Sequence, residues 1–134
     1  NFDSAIERNN VREVIRRLRQ GAIVWYGPDQ DYGRKHSIFA RFFGIEAATL
    51  RATARIIRIT GASVIIFSHY RNLDTGRYQI YLRKLTKDFP TGDDLVDGLK
   101  INRIVEDAVR KAPEQYWWLH RRFKTRPLGE PKLY

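Results

Sequence analysis

Apolar residues recur along this chain with two periods. Val11, Val14, Ile15 and Leu18 fall at helical spacing, with Arg12, Arg16, Arg17 and Arg19 between them; Asn9 and Asn10 suit the N-cap and Gly21 the stop. Residues 22–26, Ala-Ile-Val-Trp-Tyr, form a short β-rich run that predicts a buried strand. Residues 27–33 (Gly-Pro-Asp-Gln-Asp-Tyr-Gly) have loop composition, and residues 38–43 read as a second short strand or an apolar loop. Leu50, Ala54 and Ile57 predict a helix over 46–60 ended by Gly61, with Arg51, Arg55 and Arg58 on another face. Strands are predicted at 63–70 and 78–85 around an Asp74-Thr75-Gly76 turn, and the longest helix starts at Asp93 or Asp94 and runs to about Ala112. Pro113 suits the first turn of a short helix over 114–120, and the tail from Lys124 reads as extended over the surface.

Strands alternating with helices predict an α/β fold: a mostly parallel mixed sheet with flanking helices and one antiparallel hairpin. No repeat or composition break divides residues 1–134, so a single domain is expected.

Charge narrows the partner. The chain of 134 residues carries a formal net charge of +10, which selects anionic partners: nucleic acid, acidic lipid, a phosphorylated substrate or an acidic carrier protein. The absence of cysteine excludes a disulfide scaffold, a thiolate zinc site and a cysteine nucleophile. No histidine pair has metal-ligand spacing, and no metal or cofactor is expected. No apolar run approaches the ~18–20 residues that cross a bilayer. The chain contains no methionine and opens on Asn1, which leads us to expect an excerpt of a longer polypeptide.

Three segments carry candidate chemistry. Asp29, Asp31, Arg34, Lys35 and His36 lie within nine residues after the predicted strand at 22–26, where α/β sheets tend to place ligands. The competing reading is a turn-rich loop with solvated charges. Tyr116, Trp117 and Trp118 precede Arg121, Arg122, Lys124 and Arg126; such an edge suits an anionic membrane interface, a phosphate-bearing ligand or a nucleic-acid backbone, or else a helix with core tryptophans and trailing charge. His69 and Asp74 have the His-x4-Asp spacing in which an acid orients a general base. With 15 acids in 134 residues such a match arises readily by accident, and Asp74 opens a hairpin turn, so it is read as accidental.

Five stretches stand out together: residues 25–35 (Trp-Tyr-Gly-Pro-Asp-Gln-Asp-Tyr-Gly-Arg-Lys), Phe42-Phe43-Gly44, residues 101–106 (Ile-Asn-Arg-Ile-Val-Glu), the run of residues 112–118 and 120–127, and the closing Leu133-Tyr134. In these the chain resembles the late acyltransferases of lipid A biosynthesis, the lauroyl and myristoyl transferase family. Arg41 stands where the family usually has proline, and Leu50, Arg51 and Ala52 replace a Thr- and Gly-rich run. The resemblance implies a glycerolipid-acyltransferase-like fold, incomplete here, in the C-terminal half of a longer enzyme. It implies transfer of a fatty acyl group from acyl carrier protein to a hydroxyl of a lipid A precursor. The catalytic His-x4-Asp/Glu pair and a membrane helix would lie upstream, at the cytoplasmic face of the bacterial inner membrane, and the isolated chain is expected to be inactive. Asp29, Asp31, Arg34 and Lys35 are then expected at the cleft rim, and Arg121, Arg122, Lys124 and Arg126 on acceptor phosphates or anionic headgroups. The alternative is a basic nucleic-acid-binding module; no nucleic-acid motif is present, and no nucleic-acid partner is expected.

Overall fold

The computed structural model describes residues 4–7, 10–86 and 88–134. Helix α1 (Val11–Arg19) opens on Asn10, whose side chain accepts the Glu13 N–H at 3.1 Å. Asn9, the other expected cap, lies outside the described residues. Glu13 accepts from Arg16 and Arg17 on the outer face of α1, and these two cations hold its carboxyl down at about 2.

The next segment departs from expectation. Residues 22–26 form no strand and join no ladder among the described residues, and Ile23 and Trp25 face solvent. After the short 3-10 turn Arg34–His36, β1 (Ser37–Phe42) and β2 (Ile45–Leu50) form an antiparallel hairpin around Phe43 and Gly44. Both turn residues have positive φ, 49° and 80°, as a two-residue turn matched to strand twist requires. The helix predicted over 46–60 is therefore two elements, β2 and then α2 (Ala52–Thr60). Its first part reads as helix because Ala47, Ala48 and Leu50 are good helix formers, but residues 47–50 are all buried, and strand pairing overrides that local preference. Gly61, with φ of 66°, ends α2 as expected.

Strands β3 (Ile65–Arg71) and β4 (Tyr78–Lys84) form a second antiparallel hairpin, close to the predicted bounds. Helix α3 (Asp94–Val109) is capped by Asp93, which accepts the Leu95 and Val96 N–H groups, and it stops three residues before the predicted end. It lies across β1 at close range because residue 98 is glycine: a Cβ there would sit 2.6 Å from Ile38 Cδ1. The predicted helix over 114–120 is only a 3-10 turn, Pro113–Gln115. Tyr116 leaves it in an extended conformation, and the Trp118 indole N–H turns back to the Pro113 carbonyl at 2.7 Å.

The α/β class holds, with three α-helices and two two-stranded sheets among the described residues. The expected mostly parallel mixed sheet is not what the described residues form. Both ladders among the described residues are antiparallel, because each pairs two strands that are consecutive in the chain and joined by a turn, while residues 22–26 join neither. The core gathers Ala40, Phe42, Ala48 and Leu50 of the first hairpin, Ile101 and Val109 of α3, and Ala54 and Ile56 of α2.

Candidate functional site

The loop at 27–36 and the tail from residue 116 are far apart in sequence but bonded to each other in space. The buried Asp31 carboxylate accepts the Gly33 N–H at 2.8 Å and the Thr125 N–H at 2.9 Å. The Asp31 N–H donates to His120 Nε2 at 3.3 Å, which leaves the proton of a neutral His120 on Nδ1. Asp29 accepts the Tyr116 hydroxyl at 3.0 Å. Burial, followed by the charge of Asp29, pushes the Tyr116 phenol well above its ordinary value, so Tyr116 stays a donor. Asp29 and Asp31 thus act here as clamps that fix the tail against the loop.

Arg122 is the centre of a buried polar knot. At 2% exposure, its guanidinium donates to the Ala48 carbonyl at 2.7 Å and to Thr49 Oγ1 and Asn102 Oδ1, each at 3.1 Å. It also lies over the Phe42 ring, 5.2 Å from the centroid. The Asn102 amide group donates in turn to the Ala40 and Arg41 carbonyls and to Thr49. Burial lowers the Arg122 pKa, and the nearby Tyr116, Asp29 and Asp31 oppose that shift. Arg126, 9% exposed, donates to the Glu46 carbonyl and pairs with Glu130 at 2.7 Å.

Outside this knot the two basic motifs meet. An open cavity of about 340 Å³ is lined by Arg34 from the loop and by Lys124, Thr125, Arg126, Glu130 and Lys132 from the tail. Glu130 is engaged by Arg126, so Arg34, Lys124 and Lys132 leave the cavity strongly positive. Guanidinium and ammonium groups around one concavity suit a phosphate or carboxylate, with arginine able to donate two parallel bonds. Among the eight residues expected in a site, Arg34, Lys124 and Arg126 come together here. Arg122 is turned into the core, Asp29 and Asp31 are clamps, and Lys35 and Arg121 are exposed. Sequence reasoning missed Lys132 and Thr125. The Pro127–Glu130 turn, closed by a 3.2 Å backbone bond, carries the chain on to Lys132, and only the Pro and Gly in the tail hinted at it.

His69 and Asp74 stand apart in role. His69 is exposed on β3 with its ring against Phe67 and Tyr78, Asp74 lies in the following turn, and no hydrogen bond or ion pair joins them among the described residues. The aromatic run is partly engaged: Tyr116 and Trp118 pack edge-to-face at 4.9 Å, whereas Trp117 and Leu119 project outward. Among the described residues no cluster of three metal-ligating side chains occurs, and no helix is long and apolar enough to cross a membrane.

Residues 3–125 match the family model described as bacterial lipid A biosynthesis acyltransferase. The chain is 43% identical over 130 residues to a lipid A biosynthesis palmitoleoyltransferase of Escherichia coli K12, covering 96% of this chain and 42% of that protein. It is 39% identical over 132 residues to the lipid A biosynthesis lauroyltransferase of the same organism, covering 98% and 43%. Against the lipid A biosynthesis myristoyltransferase of that organism the identity is 35% over 126 residues, covering 94% and 39%. The chain therefore spans about two fifths of the length of these relatives.

Proposed function

Because the chain belongs to the bacterial lipid A biosynthesis acyltransferase family, we propose that it is the C-terminal part of an enzyme that moves a fatty acyl group from acyl carrier protein to a hydroxyl of a lipid A precursor. The observation that carries this reading is the match over nearly all of the chain to relatives named as lauroyl-, myristoyl- and palmitoleoyltransferases. Both proposed substrates are anionic, in keeping with the net charge of +10.

The general base belongs to the remainder of the enzyme, because His69 has no acid holding it toward a reacting hydroxyl. The basic cavity is the seat of an acceptor phosphate, with Arg34, Lys124 and Lys132 facing the ligand and Arg126 in the wall. Arg121 and the exposed Trp117 and Leu119 make a rim suited to the anionic headgroups of the inner membrane, on its cytoplasmic side. In the whole enzyme, residues 22–26 become a strand of the mostly parallel mixed sheet that the sequence pattern predicts; their exposed Ile23 and Trp25 support this placement.

Acyl transfer by the whole enzyme tests the cavity. Changing Arg34, Lys124 and Lys132 together to Gln should raise KM for the phosphorylated acceptor at least tenfold. The effect on a dephosphorylated acceptor should be much smaller. An equal loss on both acceptors removes the phosphate assignment, and absence of any acyl transfer by the unaltered enzyme removes the functional reading.

A further inference from the structure

The second hairpin has one partly screened face and one bare face. Directly opposed residues of an antiparallel ladder share a face, and Ile65, Phe67, His69 and Arg71 oppose Lys84, Leu82, Ile80 and Tyr78. The other face holds Tyr70 and Tyr81. Tyr70 donates to the Ala108 carbonyl at 2.8 Å, and Lys111 lies over both rings, so the end of α3 and the chain just after it screen the β3 part of that side, where Ile66, Ser68 and Tyr70 are half-buried, while Gln79, Tyr81 and Arg83 of β4 stay exposed. On the first face Ile65, Phe67, Tyr78, Ile80 and Leu82 are 47–67% exposed. When an antiparallel sheet faces water on one side, that side is normally the polar one; here the bare side is the more apolar.

The whole chain shows a similar excess. Its accessible surface is 9828 Å², about 2,500 Å² above that of a compact monomer of this mass. That excess is in the range that stable, permanent interfaces bury. The relatives are more than twice as long as this chain, so the family's polypeptide includes material that can cover it.

We propose that the Ile65, Phe67, Tyr78, Ile80 and Leu82 face of the β3–β4 sheet is the seat of an amphipathic helix from the part of the longer polypeptide that this chain does not contain. The inference rests on family membership and not on acyl transfer. A helix is the expected cover, because the faces of α/β sheets are closed by helices. Seven-residue strands run about 23 Å, which about 16 residues of helix span. Arg71 and Lys84 stand at opposite corners of the face, so the helix presents an apolar stripe flanked by acidic residues. The same cations argue against a second copy as the cover, since two chains of net charge +10 would repel each other there.

The test compares the 134-residue chain with the longer polypeptide by hydroxyl-radical footprinting, which needs no substitution. Oxidation of Phe67, Tyr78 and Leu82 is measured relative to Leu73, exposed in the hairpin turn. The three should react at rates comparable to Leu73 in the short chain and at least tenfold more slowly in the long one. A benzoylphenylalanine replacing Leu82 in the long polypeptide should then cross-link, within one molecule, to a helical peptide outside these 134 residues. Undiminished oxidation in the long polypeptide overturns the proposal. So does a cross-link to a second copy or to lipid, or equal protection in the short chain. None of these readouts depends on turnover, so an inactive protein with a covered face leaves this inference standing while the functional reading falls.

Discussion

The Arg122 knot and the outer face of the β3–β4 sheet invert the usual placement of residue types. The first hairpin and α3 bury an arginine, an asparagine and a threonine at nearly full depth, whereas the second hairpin leaves isoleucine, phenylalanine and leucine in water. Charge is tolerated at depth because three bonds, to the Ala48 carbonyl, Thr49 Oγ1 and Asn102 Oδ1, and the face of the Phe42 ring replace much of its hydration, leaving Nε as the one guanidinium nitrogen without a hydrogen-bond partner among the described residues. Exposure of the apolar face has no such local compensation. The first region is thus largely completed by this chain's own residues, and the second awaits a cover. Burial, more than residue type, tells which surfaces of the chain are final.

Removing the guanidinium is the strongest way to break this contrast. Arg122→Ala strips the Ala48 carbonyl and the Asn102 and Thr49 side chains of a donor and opens a void, which should cost about 3 kcal/mol in urea unfolding. Arg122→Lys should recover only part of this, because one ammonium cannot span the same acceptors as a planar fork. If Arg122→Ala costs under about 0.5 kcal/mol, the knot is not a stabilising element. At the other region the expected effect is far smaller. Leu82→Ser in the 134-residue chain should change stability by less than about 0.5 kcal/mol, since the side chain is mostly in water already. A large loss there would mean that the face is packed in solution.

An exposed ion pair belonging to neither region supplies the lower end of the scale. Glu13 is held at about 2 by Arg16 and Arg17 against an ordinary 4.5. A depressed carboxyl contributes fully above its unfolded value, and the contribution disappears as pH falls through the folded one. The α1 helix should therefore lose its Glu13 support between about pH 4.5 and 2, with little change above that window. A carboxyl-carbon titration by NMR should show the low midpoint and its rise in high salt; a midpoint near 4.5 at low salt contradicts the pairing.

Much of the frame was legible in local signals. The Asn10 and Asp93 caps, the Gly61 stop and the Asp74-Thr75-Gly76 turn act within a few residues, and each element they bound is found. The errors fall where distant partners decide. Ala47 and Ala48 read as helix, yet they pair with β1; residues 22–26 read as strand, yet they join neither ladder. The site shows the same division. Charge pattern selected Arg34, Lys124 and Arg126, which share a cavity, but it could not separate them from Arg122, because nothing local to a run of cations says which one turns inward. An isolated asparagine among Ile101, Ile104 and Val105 was the available hint of a buried polar partner.

The knot also dictates an order of assembly. Arg122 reaches back 74 residues to Ala48 and 20 to Asn102. During synthesis the first hairpin and α3 emerge well before the residue that completes their polar interior. Until residue 122 clears the ribosome, the Asn102 oxygen and the Ala48 carbonyl must stay wet, so α3 cannot settle dry onto β1 and β2. Closure of the core thus waits on residues made well after α3. A polypeptide stopped short of Arg122 is expected to remain swollen and open to proteolysis, however much of its secondary structure has formed.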